Sequence, residues 1–220
     1  MQGLLMVMSE PPAALEEEFN AWYDLEHIPE RAAIEGFQLS RRWIATDPTA
    51  APGRYLATYE LASREVLDSP AYLAHAYENM SVWGKRIAAR LTLVRRWMAR
   101  ETGLAHAGMR APDPAQVGAL FVSIGDIAHG HEAEFNRWYD TEHVPLIERI
   151  PGVLRARRWF DANGQPRYVA LYELAGPEVR EHPGWKEAAG TAWTAKIRAM
   201  QGAGERIVRT YVRLPPVKGP

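Results

Sequence analysis

The sequence predicts an α+β fold made of two units, each with the element order βαββαβ. A twelve-residue segment occurs twice: Glu18-Phe-Asn-Ala-Trp-Tyr-Asp-Leu-Glu-His-Ile-Pro29 and Glu134-Phe-Asn-Arg-Trp-Tyr-Asp-Thr-Glu-His-Val-Pro145, identical at nine of the twelve positions. Shorter matches follow in the same order: Gly36 with Gly152, Arg41-Arg42-Trp43 with Arg157-Arg158-Trp159, and Tyr55 to Leu61 with Tyr168 to Leu174. Ordered identities whose spacing changes only in the turns mark a tandem duplication.

Each copy opens on an apolar run, Leu4 to Met8 or Leu120 to Ile124, suited to a buried strand. A charged stretch with helical spacing follows and carries the repeated segment. Gly36 and Gly152 stand just past that helix, where a left-handed cap favours glycine. Two strand-like runs come next, 37 to 45 and 54 to 61, matched by 153 to 160 and 167 to 174, with turns at Asp47-Pro48 and Asn163-Gly164. Ser69-Pro70 and His182-Pro183 announce a second helix, since proline loses nothing in a first helical turn. Strands near 91 to 99 and 206 to 214 close the units.

This order is the ferredoxin-like split arrangement, an antiparallel sheet with both helices on one face. The expected domains are 1–103 and 117–220, joined by a linker at 104–116 rich in Gly, Ala and Pro. One face of each sheet is left without helices, and packing the two bare faces sheet to sheet would bury both inside one chain.

On these residues the chain resembles the dimeric α+β barrel superfamily. Within it the chain is similar to the EthD-like group, whose first helix carries an aromatic, then His-x-Pro and Leu. His143-Val144-Pro145-Leu146 follows that pattern throughout; His27-Ile28-Pro29-Glu30 departs at the last position. The resemblance covers both halves and implies two ferredoxin-like units packed as an intramolecular dimeric α+β barrel. It also implies a superfamily that includes isomerases, cyclases and monooxygenases, so it speaks to fold before activity.

Composition narrows the function classes. A formal net charge of -1, with arginines clustered only in pairs, supplies no field for nucleic acid or an anionic membrane. The absence of Cys removes disulfides, thiolate nucleophiles and Cys-based zinc sites. Met1 to Met8 lacks the basic start and cleavage site of a signal peptide, so a cytoplasmic protein is expected. No closely spaced second histidine, phosphate loop or dinucleotide fingerprint is present, and neither a metal nor a cofactor is expected.

His27 and His143 lead the catalytic candidates, because a neutral imidazole both takes and gives a proton near pH 7. Tyr23 and Tyr139 precede them by four residues, and Asp24 and Asp140 by three, so α-helical spacing would place a carboxylate where it favours the imidazolium. Glu26 and Glu142 fall in line with Trp22 and Trp138 instead. Arg42 and Arg158, in otherwise apolar strands, need an anion: a substrate oxygen, or Glu60 and Glu173 on the neighbouring strand. Tyr59, Tyr172 and His75 complete the substrate-binding candidates.

These residues point to a cofactor-independent enzyme of isomerase, lyase or cyclase type, using His-centred acid/base chemistry on a small aromatic or lactone-like compound. The alternatives are a non-catalytic small-molecule binding or stress-response module, and a metal-free monooxygenase. The expected partner is a small organic molecule. A monomer should suffice for the barrel, because the linker holds the second bare face at high effective concentration, with any further homodimer built on helices or edges. Cutting the chain within 104–116 tests the assembly. The separated halves should reassociate or aggregate in sedimentation experiments, and two well-behaved independent monomers would show that the faces do not pack together.

Overall fold

The computed structural model describes residues 1–47, 49, 53–103, 111–201 and 204–215. The expected linker and the Asp47-Pro48 turn therefore lie partly outside the described residues. The chain divides into two compact units: the first runs over Met1–Arg100 and takes in Leu214, and the second runs over Glu101–Arg213. Leu214 joins the first unit, and not the second as the sequence implies, because its N–H donates to the Arg42 carbonyl at 2.9 Å.

In the first unit β1 (Gly3–Glu10) is followed by α1 (Glu16–Trp22), a π-helical turn over Tyr23–His27, and α2 (Ile28–Ala32). Strands β2 (Phe37–Ala45) and β3 (Tyr55–Leu61) come next. The second helix is broken into α3 (Pro70–Leu73) and α4 (Val82–Ala88), before β4 (Leu93–Thr102). The break arises where Ser81 restarts the helix by accepting the Gly84 N–H at 2.9 Å, an N-cap that sequence periodicity alone overlooks. Ser69 caps α3 in the same way, accepting from Tyr72 at 3.2 Å.

The second unit follows the same order. It comprises β5 (Ala119–Gly125), α5 (Glu132–Trp138), a π-helical turn over Tyr139–His143, α6 (Val144–Glu148), β6 (Val153–Phe160) and β7 (Tyr168–Leu174). Then come α7 (Gly184–Ala189), α8 (Ala192–Met200) and β8 (Ile207–Arg213). Thr191 restarts α8 as Ser81 restarts α4, accepting the Thr194 N–H at 3.0 Å.

All strand pairs within each unit are antiparallel. β1 pairs with β3 and β4, and β3 with β2; in the second unit β5 pairs with β7 and β8, and β7 with β6. A bulge lies early in β2, between Phe37 and Leu39, and recurs in β6 between Val153 and Arg155. One face of the first sheet, with Leu5, Tyr55, Ala57, Tyr59 and Leu61, packs against Phe19, Trp22, Tyr23 and Ile87 of the helical layer. The second unit builds the same core from Phe121, Tyr168, Ala170, Tyr172 and Leu174 against Phe135, Trp138, Tyr139 and Ile197. Every residue of β3 and of β7 is buried, so both faces of these central strands are covered. No described helix is long and apolar enough to cross a membrane.

Gly36 and Gly152 adopt the left-handed backbone expected of them, with φ of 94° and 88°. Each also admits a valine from the turn after the central strand: a Cβ on Gly36 would lie 2.5 Å from Val66 Cγ2, and one on Gly152 would lie 2.6 Å from Val179 Cγ2. The substitution Gly152→Ala meets both penalties at once. Urea unfolding should show it destabilised by more than about 1 kcal/mol, since alanine is strained at positive φ.

Candidate functional site

The chemistry-bearing segment is shaped by a proline. Pro29 and Pro145 have no N–H to donate, and each ring crowds the carbonyl four residues back, at Leu25 or Thr141. The backbone ahead of each proline is widened accordingly: Ile28 N–H donates to the Tyr23 carbonyl, and Val144 N–H to Tyr139, both i→i+5 bonds. Such a turn brings residues five apart into line. Trp22 therefore lies over His27 with ring centroids 4.4 Å apart and 33° between planes, and Trp138 stacks on His143 at 4.4 Å and 24°. Tyr23 and Tyr139 meet the same imidazoles edge-on at 5.2 and 5.4 Å.

This winding overturns the α-helical placement of the aspartates. Asp24 accepts from Arg42 Nη1 at 3.0 Å, while Asn20 Oδ1 accepts from Arg42 Nη2 at 2.5 Å. Asp140 and Asn136 receive Arg158 likewise, at 3.4 and 2.8 Å. The two guanidinium groups also sit over Tyr23 and Tyr139, 4.5 and 4.0 Å from the ring centroids. Each is thus a buried tie from strand to helix, and its carboxylate partner is the aspartate in place of the expected Glu60 or Glu173. Glu60 takes Arg41 at 2.9 Å and Glu173 takes Arg155 at 2.5 Å.

Glu26 accepts from Trp22 Nε1 at 2.9 Å and from the Ser81 hydroxyl at 2.5 Å; Glu142 accepts from the Thr191 hydroxyl at 2.6 Å. Both fasten the motif to the cap of the last helix in their unit. His75 is exposed, and its backbone carbonyl, not its ring, receives Arg31 Nη2 at 2.6 Å. His75, expected to bind substrate, thus stands at the surface of the first unit. Its place in the sequence lies near the core, but the short α3 turns its ring to solvent.

A cavity of about 570 Å³ opens between the helices and the sheet of the second unit. Phe121 and Ser123 of β5, Tyr172 of β7, and Trp138, Tyr139 and His143 of the first helical segment line it. Arg180, Trp185, Thr194, Ile197, Arg198 and Arg206 close it from the opposite side. Of the residues singled out from sequence, it gathers His143, Tyr139 and Tyr172, and not Asp140, Glu142 or Arg158. Sequence reading overlooked Arg180. Its signal was in the internal comparison: Val66 and Val179 fill matching places against Gly36 and Gly152, so the next residues, Leu67 and Arg180, correspond.

In the first unit that leucine is buried, and the matching wall positions are Leu5 and Val7 where the second has Phe121 and Ser123. Buried Arg31, where the second unit has Ile147, adds a cation near His27, Tyr23 and Tyr59, whereas His143, Tyr139 and Tyr172 line the hollow.

Both imidazoles are neutral at pH 7. Burial takes His27 down to about 3, with the Arg31 and Arg42 cations adding to the effect. Burial takes His143 down to about 4; the Ala188 carbonyl pulls the other way, and Arg206, Arg198 and Arg158 push further down. Nδ1 of His143 is buried and has no hydrogen-bond partner among the described residues. Tyr172 is held well above the usual phenol value by burial and then by neighbouring Tyr139; Tyr59 is raised likewise by burial and then Tyr23. These phenols remain proton donors. Among the described residues no group of three His, Asp or Glu side chains is placed to hold a metal ion.

No family model matches the sequence, and no curated protein matches it. Solved structures do match. An anthrone oxidase-like protein shares 14% identity at a TM-score of 0.68, over 97% of this chain and 91% of its own. A mutant form of the chlorite dismutase from Candidatus Nitrospira defluvii shares 9% at 0.62, over 97% and 91%. At such identities the likeness shows the fold alone: among the described residues the chain is α+β, with eight strands, antiparallel within each unit, and helices.

The depressed histidines make folding sensitive to acid. Their folded values lie below the ordinary 6.5, so as pH falls the unfolded chain takes up protons first and stability drops. The loss runs from about pH 6.5 down to the folded values, at up to about 1.4 kcal/mol per pH unit for each histidine. Urea unfolding at pH 7 and pH 5 should reveal the slope, and His143→Gln should flatten it by one histidine's share. An unchanged slope would show that His143 keeps its ordinary affinity for protons.

Proposed function

We propose that the chain is a cofactor-independent enzyme of isomerase, lyase or cyclase type, moving a proton on a small aromatic or lactone-like compound held in the cavity of the second unit. The observation that carries this is the convergence of His143, Tyr139 and Tyr172 with aromatic walls around one hollow of drug-like size. A neutral imidazole with an unclaimed nitrogen is a free base. His143 takes a proton from carbon beside a substrate carbonyl, the C–H electron pair becomes a C=C bond as the C=O π pair shifts onto oxygen, and the enolate accepts a hydrogen bond from a tyrosine hydroxyl. Return of the proton to another carbon completes an isomerisation; loss of a β-substituent with its electron pair completes an elimination. The negative charge growing beside His143 raises its basicity as the proton arrives.

The first unit, where Leu67 stands in the place of Arg180, serves as scaffold. The same proposal takes the chain as an EthD-like tandem duplication that works as a monomer in the cytoplasm on a small organic molecule. A second reading, a metal-free monooxygenase, draws on the likeness to the anthrone oxidase-like structure.

Incubating the protein with a panel of aromatic ketones and lactones in deuterated water, with and without oxygen, separates the possibilities. Solvent deuterium should enter beside the carbonyl, and His143→Gln should slow this by about 100-fold or more while leaving folding intact. Undiminished exchange in that variant would sink the role of His143. Oxygen consumption would move the assignment to a monooxygenase, and a ligand recovered unchanged from every condition would make the protein a binding module.

A further inference from the structure

Arg180 is the anomaly of the cavity. It comes from the short 3-10 turn Pro177–Glu181 and is half-buried among aromatic rings, its guanidinium carbon 3.9 Å from the Phe121 centroid and 4.3 Å from that of Trp185. Among the described residues no carboxylate pairs with it. Glu181, next in the chain, lines the same cavity without reaching it. Removing a cation from water without an ionic partner is costly, and burial pulls the Arg180 pKa down from its ordinary value.

The fold does not require this cation. The first unit builds the same turn, Arg64–Asp68, with Leu67 buried in the corresponding position. Leucine there closes the core, whereas arginine in the second unit faces a hollow that two further arginines, Arg198 and Arg206, also line. Neither of those has a carboxylate partner among the described residues, and both are solvent-exposed. Exposed arginines attract anions without being desolvated, while the inner one is already partly stripped of water and stacked on rings. Stacking engages the faces of the guanidinium and leaves its in-plane N–H donors for an oxyanion.

We propose that this cavity recognises a small aromatic anion, its carboxylate, enolate or phenolate oxygen set against Arg180 and its ring against the surrounding aromatic side chains. The assignment rests on taking the cavity as the substrate site and adds the charge class of the substrate. At the corresponding position of the first unit Leu67 offers no donor. In the proposed proton transfer, Arg180 would hold negative charge that the substrate brings or develops, while the tyrosines donate to the same oxygen or its neighbour.

Calorimetric titration of the full chain with 2-naphthoate and with 2-naphthamide, which has the same shape and no charge, tests this without any turnover. The anion should bind at least tenfold more tightly than the amide, and added salt should weaken the anion alone. Arg180→Leu, which installs the first unit's residue, should reduce naphthoate affinity tenfold or more and leave the amide unaffected; Arg180→Lys should retain part of the preference. If the leucine variant fails to fold by circular dichroism, Arg180→Gln gives the same comparison. Absence of naphthoate binding, equal affinity for the two probes, or undiminished naphthoate affinity in the folded leucine or glutamine variant would overturn the proposal. Selective naphthoate binding that depends on Arg180, with no proton exchange on any substrate, would uphold the anion site and sink the enzyme assignment alone.

Discussion

A proline ring that cannot share space with the carbonyl four residues behind it sets the geometry of each helical segment. The helix meets that constraint by widening for one turn, and the widened turn decides which side chains meet. It brings tryptophan and histidine face to face, directs the tyrosine edge toward the imidazole, and sends the aspartate outward to the strand arginine. The buried ion pairs then tie helix to sheet, and the glutamates tie it to the last helix. The histidines are neutral because they are buried, and each aspartate and glutamate of the widened turn is engaged by a side chain other than histidine.

Much of the fold was legible because it depends on local signals. Strand positions followed from apolar and alternating runs, and the left-handed glycines from their place after the helix. The widened turn was not legible, since its residues have the same amphipathic pattern an α-helix would have. The aspartate was accordingly assigned to the wrong neighbour. The arginine partners were misread for a related reason. Bulges early in β2 and β6 shift the register so that Leu39 stands opposite Glu60, and Arg155 opposite Glu173. An ion pair across a strand is set by such a shift, and composition carries no trace of it.

The candidate site was half legible. His143, Tyr139 and Tyr172 announced themselves by residue type, but the cavity and Arg180 required knowing which turn folds over which strand. The two units differ less in what they share than in what they fill. The first has leucine and valine at the wall positions. The second leaves room and places polar groups around it, giving up packing energy for a hollow.

The complete burial of β7 bears on how the site moves. Backbone amides in a strand covered on both faces exchange with solvent only when the surrounding unit opens, so they belong to the last structure to yield. Tyr172 projects from that strand, whereas Arg180 projects from a turn of five residues a little further along the chain. The hydroxyl is therefore anchored to a strand covered on both faces and the guanidinium to a short turn. A molecule bound in the hollow would meet one group set in the sheet and one carried by a turn that folds over it.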